Sequence, residues 1–510
     1  MSTANRVIKN TGFLYAKMGI TMFISLYTTR LVLNALGASD FGIFNVVGGA
    51  IAMLGFLHAA MSSATQRFMS FYEGRGEVDK QKQIFNVSLV LHFLIALGLG
   101  LILLIAGYFF FNGILNIAPD RIYAAKVVYA SLIISTMFTV MSVPYEAVLN
   151  AHENMLYYSM VGVLESLLKL TVALVVVYYI GDKLELYGIL MACIPLLVLT
   201  VMRVYCHKKY SECVIAPRKY WTPTLMKEMT SFAGWSFLGS ATSMVSQYGM
   251  GIVLNTFFGT ILNAAMGIAN QLSGQLMAFS NTMMKALNPV IAKSEGGGNR
   301  QLMLKATLMG SKFSFMLLAF FVVPFIIEAP YILKLWLKDI PEWAIVFTIL
   351  QLIRSLIEQL TVMLPRAIAA KGDIKEYTIV KSVLNILPVI LTYICFKYKL
   401  PPFYLYITWI VISSIVGGGV SLYYTKLKCN LNYNHYLTKV LIPCIGLLII
   451  MIVLGGGVHC FLTPSFLKLI WVFLTTTLTF LLSVYLIFLS DEEKILIDKL
   501  ILNIKSRIKK

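Results

Sequence analysis

Acidic residues are scarce in this chain: 23 aspartates and glutamates stand against 42 lysines and arginines, and only 13% of its 510 residues carry charge. So low a charge, beside 58% hydrophobic residues, excludes a solvated, disordered polypeptide. Histidine is rarer still, six scattered residues with no H-E-x-x-H spacing. The seven cysteines (Cys193, Cys206, Cys213, Cys395, Cys429, Cys444 and Cys460) form no C-x-x-C pair. A metalloenzyme therefore has no ligand set to draw on. Gly296-Gly297-Gly298 is followed by Asn299-Arg300, not by Lys-Ser/Thr, so the chain has no phosphate-cradling loop of the ATPase kind. No cofactor is expected, and the chain does not read as an enzyme.

What fills the chain instead is apolar. A mean hydropathy of +0.79 lies outside the range of soluble domains, whose apolar share is roughly 45–50%. A membrane helix needs about 20 mostly apolar residues. By that measure there are about fourteen spans: 11–33, 41–66, 84–110, 121–148, 156–180, 187–207, 229–258, 260–291, 306–333, 342–368, 376–398, 402–425, 436–460 and 465–489. The fold class predicted is an all-α polytopic membrane protein.

The net charge of +19 gives the orientation. Alternate loops are rich in lysine and arginine (Arg67 to Lys82, Arg203 to Lys227, Lys293 to Lys305, Lys371 and Lys375, Lys426 and Lys428), whereas the loops between them are poorer. The positive-inside rule then places both termini in the cytoplasm. The basic charge reads as topology rather than as a nucleic-acid surface.

The sequence also repeats itself at an offset of about 220 residues. Val32-Leu33-Asn34 with Gly37 is echoed by Val253-Leu254-Asn255 with Gly259. Glu73-Gly74-Arg75-Gly76 is echoed by Glu295-Gly296-Gly297-Gly298, Pro144 by Pro365, and Tyr157 by Tyr377. The offset holds six spans, an even number, so the copies are parallel repeats. The domains predicted are a six-helix lobe over 1–207, a basic cytoplasmic linker over 208–228 and a second six-helix lobe over 229–425. Two further helices cover 426–489, and a basic tail covers 490–510. The tail's apolar spacing fits an amphipathic helix on the inner leaflet as well as a solvated helix that fixes topology.

Several spans carry charge, which costs roughly 2.5–3.5 kcal/mol at a helix centre on insertion scales and so marks cavities or pairs. Lys17, Thr21, Ser25 and Thr28 share one face of the first span, and Ser236, Ser240, Ser243 and Gln247 one face of the seventh. The eighth is the most polar, with Asn270, Gly274, Asn281, Lys285 and Asn288 in one row and Gln271 and Gln275 beside it. Close packing explains the seventh span; the amides and lysine of the eighth favour a cavity wall. Lys17, Arg30 and Lys285 lie near enough to span ends to snorkel. Arg354 lies deep, with Glu358 one turn on, and Glu165 and Lys169 repeat that spacing in the fifth span.

The opening stretch is the most specific. Ile24-Ser25-Leu26-Tyr27-Thr28-Thr29-Arg30 runs into Val32-Leu33-Asn34-Ala35-Leu36-Gly37 and then Asp40-Phe41-Gly42-Ile43-Phe44-Asn45-Val46-Val47-Gly48-Gly49. It resembles the start of the Wzx-type O-antigen and polysaccharide flippases, polysaccharide biosynthesis proteins of the multidrug/oligosaccharidyl-lipid/polysaccharide exporter superfamily. Elsewhere the resemblance rests on helix number, repeat and basic cavity. It implies a V-shaped pair of six-helix lobes, with two extra helices in some members, in the bacterial inner membrane. It also implies transport of undecaprenyl-diphosphate-linked oligosaccharide from the inner to the outer leaflet, with a polysaccharide polymerase or glycosyltransferases as further partners beside membrane lipids.

On this reading Lys17, Arg30, Lys285 and Arg354 contact the diphosphate or acidic sugars, Asn270, Gln271, Gln275 and Asn281 line the cavity, and Glu165 and Glu358 serve ion coupling or charge balance. The runner-up is a multidrug efflux antiporter of the same superfamily. A non-transporting membrane scaffold would explain the helices but not the intramembrane charges, and an integral-membrane polymerase or ligase would call for a large periplasmic loop with paired catalytic groups, which the sequence does not offer.

Overall fold

The computed structural model describes residues 3–52, 55–114, 117–337, 339–491 and 493–494. Every regular element among them is helical. In chain order they are α1 (Thr3–Ala52), α2 (Gly55–Arg75), α3 (Val78–Phe109), α4 (Ile122–Ala151), α5 (Met155–Tyr178), α6 (Lys183–Lys209), a short α7 (Pro217–Tyr220) and α8 (Pro223–Gly296). There follow α9 (Arg300–Ile327), α10 (Ala329–Trp336), α11 (Ala344–Thr361), α12 (Leu364–Lys371), α13 (Lys375–Lys397), α14 (Tyr404–Thr408), α15 (Gly417–Cys429), α16 (Tyr433–Tyr436), α17 (Ile442–Phe461) and α18 (Phe466–Ser483). Helicity throughout is what hydrocarbon demands, since each backbone group must find its partner within the segment.

Twelve helical segments among the described residues are long and apolar enough to cross a membrane. One of them, Pro223–Gly296, holds two spans, because the backbone breaks at Gly259 (φ 77°). The same break occurs in α1 at Gly37 (φ 78°). These are the paired glycines of the sequence repeat, and a positive φ is what only glycine adopts freely. A second pair, Gly76 (φ 71°) and Gly298 (φ 75°), has the same spacing. The repeat thus extends from letters to backbone angles. The tenth expected span differs: α11 stops at Thr361 and α12 restarts at Leu364 with Pro365 in its first turn, where a missing N–H costs nothing. Its counterpart Pro144 lies inside α4 instead.

The chain forms two compact units. The N-terminal unit holds residues 9–240 with 292–299, and the C-terminal unit holds 1–8, 241–291 and 300–510. In the first, α4 packs along α2, α3 and α6 over a core that includes Leu103, Val128 and Leu184. In the second, α9 packs against α11, α17 and α18, with Phe315, Leu352, Leu447 and Met451 in the core. The tail is described only to Lys494, so the amphipathic reading of 490–510 lies mostly outside the described residues. Its start is anchored: Glu493 pairs with Lys312 at 2.7 Å, both nearly buried, and caps the backbone of Ser490.

Candidate functional site

A polar cluster in the C-terminal unit forms around α11. Arg354 Nε donates to Glu358 Oε1 at 2.9 Å, one helical turn away, and Arg354 Nη1 donates to Gln351 at 3.3 Å. The guanidinium lies 3.7 Å from the centre of the Trp409 ring, an arrangement in which cation and π-face attract. Ser414 donates to the same Glu358 oxygen at 3.2 Å. Trp409 and Ser414 belong to a π-helical run, Trp409–Val416, and such bulges re-aim side chains and concentrate at functional sites. Lys381 of α13 donates to the carbonyl of Ser413 at 2.9 Å. Gln351 also reaches Ser273 of α8, which bonds Ser355 at 2.8 Å. Arg354 and Glu358 are therefore a positioned pair, mostly shielded and tied to three other helices.

The α8 row behaves differently. Gln271, Gln275, Asn281 and Lys285 are exposed, and Asn270 is half-buried. Packing does not account for them. Arg30 is exposed near the end of the first arm of α1. Lys17 is half-buried, its ammonium 4.2 Å from the centre of the Tyr158 ring and its stem lying against Gly162, where a Cβ would collide with it. Glu165 and Lys169 form the expected pair at 2.6 Å, both well exposed. The structure thus brings Arg354 and Glu358 together, and Glu165 with Lys169; Lys17 and Arg30 share the first arm of α1, more than three turns apart, and Lys285 is on α8.

Three charged groups escaped the sequence reading although the signal was there. Lys312 and Lys381 lie inside apolar spans, as Arg354 does, and merit the same suspicion. Arg121 stands at the very start of the fourth expected span. It sits between Asp40 (2.5 Å) and Asp182 (2.6 Å), the second of which caps α6. That binds the starts of α4 and α6 to the motif around Asp40.

A further cluster joins the basic loops of the N-terminal unit. His152 follows the end of α4 and touches Glu212 at 2.5 Å and Glu73 at 3.2 Å. Gln81 and Lys293 also bond Glu73, at 2.7 and 3.2 Å, and the Tyr210 ring stacks on His152 at 4.2 Å. Burial pushes the His152 pKa down, but the bonds to Glu212 and Glu73 outweigh it and raise the value to about 9. Burial likewise raises Glu73, yet His152, Gln81 and Lys293 draw it down to about 2. Because the folded value of His152 exceeds the ordinary 6.5, its stabilisation is complete below that pH and fades as pH climbs through about 9. Glu73 falls below the ordinary 4.5, so its contribution holds above that pH and is lost toward 2. The cluster should be firmest between about pH 4.5 and 6.5. Hydrogen exchange at residues 150–156 is expected to speed up from pH 8 to 10 beyond its intrinsic base dependence, and His152→Gln should remove that excess.

No protein-family profile matches the chain, and no curated protein matches its sequence. Solved structures do match. A point mutant of a MATE protein superimposes with a TM-score of 0.72 at 16% identity, over 84% of this chain and 97% of that one. An outward-facing multidrug resistance MATE family transporter of the MOP superfamily gives 0.71 at 16% identity, over 84% and 96%. A MOP superfamily transporter from Pyrococcus furiosus, described as having a binding pocket of reverse polarity that suggests a different function, gives 0.69 at 17%, again over 84% and 96%. At such identities the likeness speaks for architecture, and it does so over nearly the whole of each neighbour: this chain has the fold of the MATE transporters of the MOP superfamily.

Proposed function

We propose that the protein is a flippase that carries undecaprenyl-diphosphate-linked oligosaccharide, of the O-antigen or capsule type, from the inner to the outer leaflet by alternating access. It would reside in the bacterial inner membrane with both termini cytoplasmic. The observation that carries the reading is the unpacked row on α8, in which Gln271, Gln275 and Asn281 lead to Lys285. Amides and an ammonium in such a row are ill suited to hydrocarbon and well suited to a sugar chain beside a diphosphate. Moving a multiply charged diphosphate through lipid unaided would cost far more than binding offers. Lysines and arginines such as Lys17, Arg30, Lys285 and Arg354 are phosphate binders by charge and geometry. Glu165 and Glu358, each already paired, would set charge balance or couple an ion. The lack of a nucleotide motif leaves a gradient as the energy source.

Multidrug export is the second reading, favoured by the neighbours named for it. Cationic drugs prefer acidic pockets, so the excess of cations within the spans argues the other way. Expression in a strain lacking its own O-unit flippase is expected to restore long-chain surface polysaccharide and leave drug susceptibility unchanged. Raised drug resistance without polysaccharide, in that strain and in the native host deleted for this gene, would reverse the order of the two readings.

A further inference from the structure

One flank of the N-terminal unit holds a groove that the transport reading does not use. It lies between the start of α5 and the end of α6, has a volume of about 480 Å³ and is lined by Tyr157, Val201, Val204, Tyr205, Lys208 and Lys209. That size falls within the roughly 300–1,000 Å³ typical of small-molecule sites. Its floor is rigid. The rings of Tyr157 and Tyr205 stack at 3.6 Å. Tyr157 donates to the Val201 carbonyl at 3.2 Å, and the Asn154 amide donates to the hydroxyls of Tyr205 and Tyr210, each at 2.9 Å.

The groove is apolar along the span and cationic at its end. Val204 is 50% exposed and Leu197 49%, so this flank of α6 presents hydrocarbon to whatever surrounds it. One turn on, α6 finishes with Lys208 and Lys209, both exposed and without an ion pair among the described residues. Tyrosines at the level of the headgroups are the usual lining of a membrane interface, and lysines bind phosphate as point charges.

We propose that this groove is a binding site for an anionic phospholipid of the leaflet that faces the basic loops. The phosphate would lie against Lys208 and Lys209, the glycerol over the Tyr157–Tyr205 stack, and one acyl chain along Val201 and Val204. A zwitterionic lipid would bring its own cation against the two lysines, so the preference follows from charge. Basic pockets between membrane helices on this side take such headgroups. The competing account is that the lysines only offset the carbonyl end of α6 and fix topology; any lipid preference would then be spread over the whole basic surface.

The two accounts part in native mass spectrometry of the full-length protein, released from nanodiscs made of equal phosphatidylglycerol and phosphatidylcholine. Phosphatidylglycerol should be retained preferentially, and K208Q/K209Q should lower its retention about tenfold while leaving phosphatidylcholine unchanged. V204W, which fills the groove at an exposed position, should do the same with both lysines in place. K397Q/K399Q, which removes the same charge elsewhere, should have no effect. Equal retention of both lipids by the native protein, undiminished phosphatidylglycerol in V204W, or an equal loss in K397Q/K399Q would each overturn the assignment.

Discussion

Replacing Arg354 by alanine is expected to abolish surface polysaccharide in the complemented strain and to lower the amount of folded protein as well. The guanidinium is mostly shielded, at 15% side-chain exposure, and it bonds Glu358 while lying on Trp409. Its loss leaves the Glu358 carboxylate with Ser414 as its remaining direct partner in the cluster. Removing one member of a buried pair costs about 3–5 kcal/mol, chiefly because the other charge stays behind; partial exposure puts this pair at the lower end. Most domains have only about 5–15 kcal/mol of stability in all, so a fall in abundance follows from packing alone. The double variant R354A/E358A separates the effects, because it removes the orphaned charge together with its partner. If Arg354 binds substrate, the double variant should return to the membrane at near-native amounts and still make no polysaccharide. Recovery of both would assign the pair to structure and remove Arg354 from the binding set. Arg354→Lys is a sharper probe of the stacked, forked geometry, because lysine keeps the charge but not the planar fork.

The architecture was legible because hydrocarbon imposes a simple rule. Long apolar runs become helices, and most of the expected runs recur among the twelve segments able to span, two of them joined in α8; the run 41–66 instead divides between the end of α1 and the start of α2. The repeat was legible at Gly37 and Gly259, since a reversed backbone angle leaves almost no alternative to glycine. What one-dimensional spacing conveys is confined to one helix. The pairs Arg354–Glu358 and Glu165–Lys169 were readable for that reason. The stacking of Arg354 on Trp409, the bond from Lys381 to Ser413 and the clasp of Arg121 by Asp40 and Asp182 join residues far apart in the chain. No period announces them. Lys312 was missed differently: its partner Glu493 lies in a tail whose composition fits a helix on the membrane surface or in solvent, yet the first turn of that tail folds back to neutralise a lysine inside a span.

The glycines of the second repeat motif carry the other large effect. In the N-terminal unit a Cβ on Gly74 would fall on the carbonyl of Lys293, and a Cβ on Gly296 would fall on the carbonyl of Phe71. Phe71 stands three residues before Gly74, and Lys293 three before Gly296, so each copy of the motif presents its glycine to the matching carbonyl of the other. That reciprocity is the signature of a two-fold contact, here between two copies within one chain. The obstruction on both sides is backbone, which cannot swing aside as a flexible side chain would. Gly74→Ala or Gly296→Ala should each destabilise the protein by about 1–3 kcal/mol, the usual cost of overpacking, with a lower melting temperature for the full-length protein in detergent. Gly98→Ala and Gly234→Ala, where an added Cβ meets nothing within 4 Å, should leave that temperature nearly unchanged. The decisive quantity is the double variant. Once one alanine has forced the two backbones apart, the second meets little further resistance, so G74A/G296A should cost scarcely more than either single change. Full additivity would mean that the two glycines serve separate contacts, and the reciprocal crossing would have to be given up.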